Sequence, residues 1–237
     1  MIRVNVPDFN AISKSGPAQL VVAVYGGAFD PIHYGHLGCI EALLGGRTIT
    51  CSEETLSIDQ VWVIPSEDHR SDKKCFCPQT TRLYLCKLAV QELNLHTRGV
   101  AVDIATRRNP EGELESGTMA LLDTLSSRFP QIRFFPVIGS ELISSLPSWK
   151  QSYRLSREVR FIVIQRQGVT ESPMMATYEK KGCFQIFDPI ICSLPPYSSS
   201  SIRTLLGTNQ CSAEELSHYV PSTVAKYIVE NQLYRES

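Results

Sequence analysis

The sequence lacks a long apolar run and an excess of charge of either sign. No uninterrupted apolar stretch approaches the roughly 20 residues that a membrane-spanning helix needs, and the first 19 residues have no apolar core of a secretory signal. Lys and Arg number 23 against 24 for Asp and Glu, a net charge of -1. A polyanion would therefore need a local cluster of donors rather than an overall field. We therefore predict that the protein binds neither a membrane nor a nucleic acid.

Paired cysteine motifs are also absent. The chain has 8 Cys and no Cys-x-x-Cys, which, without a secretory signal, favours free thiols in a reducing compartment and a cytoplasmic location. Cys75 and Cys77 lie near His69 in the sequence, which makes a zinc site an alternative. The Cys-x-Cys spacing does not fit a usual structural zinc site, and no second pair follows. We therefore predict no metal ion held by protein side chains.

Apolar runs alternate with helical patterns along the chain. The run LVVAVYGG at 20–27 ends in two glycines, as a buried parallel strand does. Further strands are predicted at 61–65, 100–104, 133–138, 159–164 and, as a sixth, 183–187. Helices are predicted at 36–44, 79–93, 117–129, 149–155, 198–206 and 221–234. This alternation predicts a doubly wound α/β fold, in which ligands bind at the carboxyl ends of the strands.

No internal repeat and no linker divides the chain beyond its first residues. We expect residues 1–19 to be an N-terminal extension. Residues 20–237 are predicted to form one domain, a parallel sheet of five or six strands with a small helical C-terminal part.

The segment YGGAFDPIHYGH, from Tyr25 to His36, is the first candidate site. Its two glycines allow backbone amides to approach a ligand closely. His33 and His36 lie three apart, so a helix that begins near Pro31 would place both imidazoles on one face of its first turns. A helix N-terminus presents unpaired N–H groups and a partial positive charge, which together with two imidazoles would form a phosphate-binding site.

Each part of this segment also has a simpler interpretation. A histidine at a helix start is usually a surface or capping residue, and two glycines after a strand are common. Two histidines three apart can bind a metal ion, but no third ligand is nearby in the sequence. The usual dinucleotide and Walker fingerprints are absent.

The segment PPYSSSSIR, from Pro195 to Arg203, predicts a second loop that enters a helix. A serine would supply the N-cap, and Arg203 would lie within the first turns. Hydroxyls, free amides and a guanidinium at a helix start form a second candidate anion site. The alternative is a solvated serine-rich cap with a surface arginine.

Both segments resemble motifs of the nucleotidyltransferases that carry an HxGH motif. GGAFDPIHYGH matches the signature GG-x-FDP-x-H-x-GH at every fixed position, and YSSSSIR resembles I-S-S-T-x-I-R, with Tyr197 for the first Ile and Ser200 for Thr. The resemblance implies an enzyme with a Rossmann-like fold over residues 20–237. It implies catalytic roles for His33, His36 and Arg203. The ATP contacts that it implies are Gly26, Gly27, Ala28, Phe29, Ser199 and Ser200.

A further stretch is similar to nicotinate and nicotinamide mononucleotide adenylyltransferases. This stretch is IGSELISSLPSWKQSYRL at 138–155, followed by FIVIQRQG at 161–168. The similarity implies ATP contacts from Gly139 and Glu141, with Glu where the family usually has Asp. It implies mononucleotide contacts from Trp149 and Arg166.

The loop after the second predicted strand is where these enzymes carry a basic residue that contacts phosphate. Lys73 or Lys74 would take that place, and the spacing does not choose between them; a solvated basic loop is the alternative. Trp149 likewise has an alternative role as a core residue. The resemblance extends from Leu20 to Tyr234.

The resemblance implies adenylyl transfer from ATP to nicotinate or nicotinamide mononucleotide in NAD biosynthesis, with release of pyrophosphate. ATP and the mononucleotide would be the partners, Mg²⁺ would accompany ATP, and a homo-oligomer is an open expectation. Two alternatives remain at this point. One is the same fold with another acceptor, by phosphopantetheine or cytidylyl transfer, and the other is a non-catalytic nucleotide-binding module.

Overall fold

The apolar run at 20–27 forms the central strand β1, Leu20–Gly27. Alternate residues of β1 pack into opposite cores: Val21 and Ala23 on one face, Val22 and Val24 on the other. A strand buried on both faces needs apolar residues at every position, which explains the continuous run.

The computed structural model describes residues 9, 20–46, 48–50, 55–68, 75–105, 115–166, 184–195, 197–207 and 211–235.

In the described part of the chain, seven strands form one sheet whose pairs are all parallel, in the order β5-β4-β1-β6-β7-β8 with β9 also paired to β7. A separate antiparallel pair joins β2 and β3. The remaining strands are β2 Thr48–Thr50, β3 Thr55–Ser57, β4 Gln60–Pro65, β5 Val100–Val102, β6 Ile132–Gly139, β7 Arg160–Arg166, β8 Gln185–Ile186 and β9 Ile190–Cys192. The predicted doubly wound α/β class is confirmed. The sheet has more than the predicted five or six strands because β9 spans only three residues, too few to show a periodicity.

Helices cover both faces of the sheet. On one face, α1, α2, α5 and α7 pack with Val21 and Ala23, and on the other face α3 and α4 pack with a 3₁₀ segment. The α-helices are α1 Tyr34–Gly46, α2 Gln79–Glu92, α3 Thr118–Arg128, α4 Ser152–Glu158, α5 Ser199–Gly207, α6 Ala213–Leu216 and α7 Ser222–Glu230. The 3₁₀ segments are Leu95–Arg98 and Ser140–Ser148. Among the described residues, no helix is both long and apolar enough to cross a membrane.

Two predicted elements differ from the structure. The helix predicted at 149–155 is α4, which begins only at Ser152, because Trp149 is extended and Gln151 has a positive φ of 56°. Part of the strand predicted at 183–187 is β8, and Cys183 lies outside the described residues.

The small C-terminal helices are fixed to the rest of the domain at two points. The Glu92 carboxylate at the end of α2 accepts from the backbone N–H groups of Ser222 (2.9 Å) and Thr223 (2.7 Å), which caps α7. The N–H of Tyr34 donates to the Tyr219 carbonyl at 2.9 Å. Because Tyr34 starts α1, the C-terminal part supports the first candidate site directly.

Phe9 is the one residue of the predicted extension that the structure describes. Its ring stacks on Trp62 with 4.1 Å between centroids and 5° between planes, and both side chains are fully buried. The rest of residues 1–19 lies outside the described part of the chain, so the domain boundary at residue 20 stays a prediction.

Arg82 of α2 is fully buried and joins three loops. Its guanidinium donates to the carbonyls of Ala28 (2.5 Å), Ser66 (2.6 Å) and Cys77 (2.9 Å), and it pairs with Asp68 at 2.7 Å. These loops follow β1, follow β4 and precede α2. A buried charge is tolerated when it is paired and fully hydrogen-bonded, as here.

We expect Arg82→Met to lower the free energy of unfolding by about 3–5 kcal/mol, because it leaves buried carbonyls without donors. The measurement is urea unfolding. Arg98→Met is the matched control: Arg98 forms an exposed pair with Glu41, and its loss should cost about 1 kcal/mol or less. Equal losses in the two variants would contradict the role assigned to Arg82.

Candidate active site

The carboxyl ends of β1, β4 and β6 open into a cavity of about 500 Å³. Ligands of doubly wound sheets bind at this edge, where the strand order reverses. The wall contains residues from the ends of β1 and β4, from the start of α3 and from the 3₁₀ segment before Trp149: Val24, Gly26, Gly27, Ser66, Glu67, Ser116, Gly117, Thr118, Leu121, Pro136, Val137, Ile138, Leu142, Ser145, Ser148, Trp149 and Lys150. Such a pocket, largely apolar with a few polar groups, is typical of a small-molecule site.

His33 and His36 stack at the start of α1, with 3.8 Å between ring centroids. The helix begins at Tyr34 rather than near Pro31, so His33 precedes it and its carbonyl accepts from the N–H groups of His36 (2.9 Å) and Leu37 (3.1 Å). The helix predicted at 36–44 thus begins two residues earlier than predicted, but it does not reach back to Pro31, because Asp30 and Pro31 form a turn before it. The two rings nevertheless lie together, as the spacing predicted.

Backbone hydrogen bonds assign the tautomers of both imidazoles. The N–H of Gly35 donates to Nδ1 of His33 at 3.0 Å, and the N–H of His33 donates to Nδ1 of His36 at 3.3 Å. A neutral imidazole that accepts at Nδ1 carries its proton on Nε2. Each ring therefore has an Nε2–H donor.

Glycine is required at two positions around these rings. A Cβ on Gly35 would lie 2.8 Å from Cε1 of His33, and a Cβ on Gly27 would lie 2.9 Å from Cζ of Phe29. Phe29 itself is buried and meets His36 edge-on at 5.0 Å. The Phe29 side chain thus packs beneath the glycines and supports the histidines.

The second segment meets the first one directly. The guanidinium of Arg203 donates to the carbonyl of Asp30 at 2.7 Å, and the hydroxyl of Ser199 donates to the carbonyl of Pro31 at 3.0 Å. Ser198 is the N-cap of α5, since its Oγ accepts from the N–H of Ser201 at 3.1 Å. The N-termini of α1 and α5 therefore converge on one turn.

Phe76 and Asp30 hold Arg203 and its surroundings in place. The Arg203 guanidinium lies over the Phe76 ring, 4.4 Å from its centroid. The buried Asp30 carboxylate accepts from the N–H groups of Phe76 (2.7 Å) and Cys77 (3.2 Å). The Oγ of Ser200 accepts from Arg203 at 3.1 Å. Arg203 is thus contacted by backbone, hydroxyl and aromatic groups.

The buried Tyr234 lies close to Asp30 and Cys77. Burial, and after it the charge of Asp30, raises the pKa of the Tyr234 hydroxyl well above its usual range. The hydroxyl stays protonated at physiological pH.

Trp149, the predicted mononucleotide contact, forms part of the cavity wall. Its indole Nε1–H donates to Oγ of Ser145 at 3.0 Å, and its ring meets Phe161 edge-on at 6.3 Å.

The side chain of Glu141 folds back over Gly139, because a Cβ built on Gly139 would lie only 2.3 Å from each of the Glu141 carboxylate oxygens. The spacing Gly-x-Glu thus allows the acid to turn back over the end of β6.

Three of the predicted site residues are incompletely described. Lys73 and Lys74 lie outside the described residues, as does His69. Arg166 ends β7, where it pairs with Cys192, and only its backbone is described.

Sequence reasoning missed Arg82, Phe76 and the role of the Asp30 carboxylate. Asp30 lies within a motif already singled out, so its place before a turn was a usable signal. An arginine on a helix carries no such signal, because most arginines face solvent, and nothing in the sequence relates Phe76 to Arg203.

Comparisons with known proteins agree with this geometry. A nicotinate-nucleotide adenylyltransferase of Bacillus subtilis is 26% identical over 216 residues, 90% of this chain and 97% of that protein. A probable nicotinate-nucleotide adenylyltransferase of Halalkalibacterium halodurans is 27% identical over 216 residues, 90% of this chain and 91% of that protein.

The fold is similar to that of Plasmodium falciparum nicotinic acid mononucleotide adenylyltransferase complexed with NaAD, with a TM-score of 0.68, 21% identity, and coverage of 91% of this chain and 97% of that one. The model of the cytidylyltransferase-like family matches residues 24–205, most of the sheet and both helix N-termini. The chain therefore belongs to the cytidylyltransferase-like family.

Proposed function

We propose that this protein is an adenylyltransferase that joins ATP to nicotinate or nicotinamide mononucleotide, forming deamido-NAD or NAD and pyrophosphate. The observation that carries the proposal is the convergence of His33, His36 and Arg203 on one turn at the helix N-termini, beside a cavity that contains Trp149. The names of the bacterial relatives support the same reaction.

The reaction requires charge neutralisation rather than a covalent intermediate. The 5′-phosphate oxygen of the acceptor attacks the α-phosphorus of ATP, and the bond to the β-phosphate oxygen breaks, so pyrophosphate leaves. Phosphoryl transfer of this kind depends on positioning and on stabilising the developing charge. With a net charge of -1, the chain must supply positive potential locally, and its two converging helix N-termini do so.

His33 and His36 would donate their Nε2–H groups to oxygens around the α-phosphate. Both rings are held by backbone N–H groups at Nδ1. The donors are therefore oriented before the substrate binds, which is what electrostatic stabilisation of a transition state requires.

Arg203 would bind the departing β- and γ-phosphates together with the start of α5. The hydroxyl proton of Ser199 is donated to the Pro31 carbonyl, so the contribution of Ser199 and Ser200 would come mainly from their N–H groups, which lie at the helix start without intrahelical acceptors. Lys73 or Lys74 would add one more cation.

The acceptor would occupy the cavity, with its pyridine ring on Trp149. Gly26 and Gly27 line this cavity, and Gly27 also touches Phe29, which contacts His36. Together with Ala28 and Phe29, these glycines would contact ATP at the point where the acceptor phosphate approaches the α-phosphate. Gly139 and Glu141 would contact the adenosine, and Arg166 the mononucleotide.

Mg²⁺ would enter bound to ATP, as part of the substrate. Mg²⁺ usually binds through substrate phosphates and retains several waters. Among the residues that the structure describes, no group of three His, Cys, Asp or Glu side chains is arranged to hold a metal ion. We also propose a cytoplasmic location, which suits a chain in which six cysteines of the described part form no disulfide.

Incubation of the protein with MgATP and either mononucleotide should yield a dinucleotide and equimolar pyrophosphate, detected by chromatography and by a coupled pyrophosphatase assay. Phosphopantetheine and choline phosphate serve as alternative acceptors, and CTP as the alternative donor. Turnover only with one of these would contradict the proposed acceptor, and ATP binding without any turnover would indicate a non-catalytic module.

We expect His36→Ala to lower kcat by at least about 100-fold, the effect of losing one preorganised donor to the transition state. His96→Ala is the control, since His96 lies in the 3₁₀ segment before β5, at the amino end of that strand, whereas the candidate site lies at the carboxyl ends of the strands. Near-normal turnover of the His36 variant would remove His36 from the mechanism.

Phe76→Ala should lower kcat/KM for ATP by roughly 2- to 30-fold, the range that a cation–π contact supports. The ring is 69% exposed, so the free energy of unfolding should change little. Phe76→Tyr retains a ring over Arg203 and should behave like the wild type. If both variants lost activity equally, the stacking on Arg203 would not be the cause.

A further inference from the structure

The face of the sheet that carries the Trp62 side chain is only partly covered by helices. Trp62 in β4 pairs with Val24 of β1 and with Ala101 of β5, and the side chains of paired residues on neighbouring strands lie on the same face. On the opposite face α2 covers β4 and β5, whereas on this face α3 packs on β6. Trp62 is nevertheless fully buried, so another part of the chain must cover it.

Phe9 of the N-terminal extension supplies this cover. Its ring is stacked on the Trp62 indole, with 4.1 Å between centroids, whereas Phe129 and Phe134 meet the indole edge-on at 5.2 Å and 5.3 Å. The indole Nε1–H donates to Oε1 of Gln60 at 2.9 Å, which fixes the orientation of the ring. Trp62 is therefore held by three aromatic rings, and the extension provides the one that is stacked on it.

The apolar cluster around Trp62 also forms part of the cavity wall. Val24 and Leu121 belong to this cluster, and both line the cavity. Val24 lies beside Trp62 in the ladder of β1 and β4, and Leu121 comes from α3, which ends next to Phe129. Because protein interiors are close-packed, the loss of a large ring at Phe9 would be transmitted to these neighbours. The position of the wall therefore depends on what is stacked on Trp62.

The groups proposed to bind the phosphates of ATP are supported by the other core. Phe29, Ile32 and Ile202, which lie beside His33, His36 and Arg203 in the sequence or in space, belong to the cluster on the α1 face of the sheet. A change at Phe9 should therefore act on the apolar wall of the cavity rather than on the phosphate-binding groups.

We propose that Phe9 is a positioning residue for the acceptor: through Trp62 it holds Val24 and Leu121 in the cavity wall, so the N-terminal extension contributes to the affinity for the mononucleotide. This inference rests on the proposed function. Phe9 is fully buried, so it acts through the wall and not by contact with the substrate. It lies outside residues 24–205, which match the family model, so the family match does not account for this contact.

The test compares kcat and the KM for each substrate in the wild type, Phe9→Leu and Phe9→Ala. Both variants remove the stacked ring, and alanine also leaves a void. KM for the mononucleotide should rise by roughly 2- to 30-fold, the range of couplings transmitted through packed side chains, with the larger rise in the alanine variant. KM for ATP and kcat should stay close to the wild-type values.

Phe187→Leu is the matched control for Phe9→Leu. Phe187 is also fully buried, but it packs against Phe135 at 5.2 Å in the core on the α1 face and is not among the residues that line the cavity. Its replacement should lower the urea midpoint, as Phe9→Leu does, but leave KM for both substrates unchanged. An unchanged KM for the mononucleotide in Phe9→Leu, or an equal rise in Phe187→Leu, would overturn the proposal.

Two measurements without turnover separate this inference from the proposed function. In a Trp149→Phe background Trp62 is the only tryptophan, and Phe9→Leu should change its near-UV circular dichroism because the stacked ring is lost; an unchanged spectrum would overturn the proposal. Calorimetry then gives the affinity for the mononucleotide alone. Weaker binding by Phe9→Leu than by the wild type would support the proposal even if no dinucleotide forms, and equal binding would overturn it even if adenylyl transfer occurs.

Discussion

The candidate site depends on a contact between two segments that are far apart in the chain. Arg203 and Ser199 donate to the carbonyls of Asp30 and Pro31, across 173 and 168 residues. Each segment alone is a helix start with polar side chains, which is common on protein surfaces. Joined at one turn, they bring two imidazoles, a guanidinium and two helix N-termini to the same part of the molecule, where their potentials add.

Hydrogen bonds of buried side chains hold the surroundings of this contact in place. Arg82 holds the loops after β1 and β4 against the turn before α2, and Asp30 holds the same turn through two backbone N–H groups. Phe29 supports His36 from below. Arg82, Asp30 and Phe29 have a supporting role. They orient the imidazoles and the guanidinium, so that these donors need little reorganisation when a substrate binds.

Much of this arrangement was predictable from the sequence because its signals are local. A continuous apolar run before two glycines identified β1, and the spacing of His33 and His36 identified the stacked pair. The short strand β9 could not be predicted, since three residues show no period. The buried position of Arg82 could not be predicted either, because it is set by three carbonyls from distant loops.

The long sequence separation of the Arg203–Asp30 contact also bears on when the protein acquires its affinity for nucleotides. Bringing together groups so far apart in the chain is entropically costly and occurs only as tertiary structure forms. A nascent or partly folded chain has both helix starts but not their convergence, and so has no site at which a triphosphate can be bound from both sides. Nucleotide would therefore bind the native state almost exclusively, and the cellular pool of ATP would shift the folding equilibrium toward the completed domain.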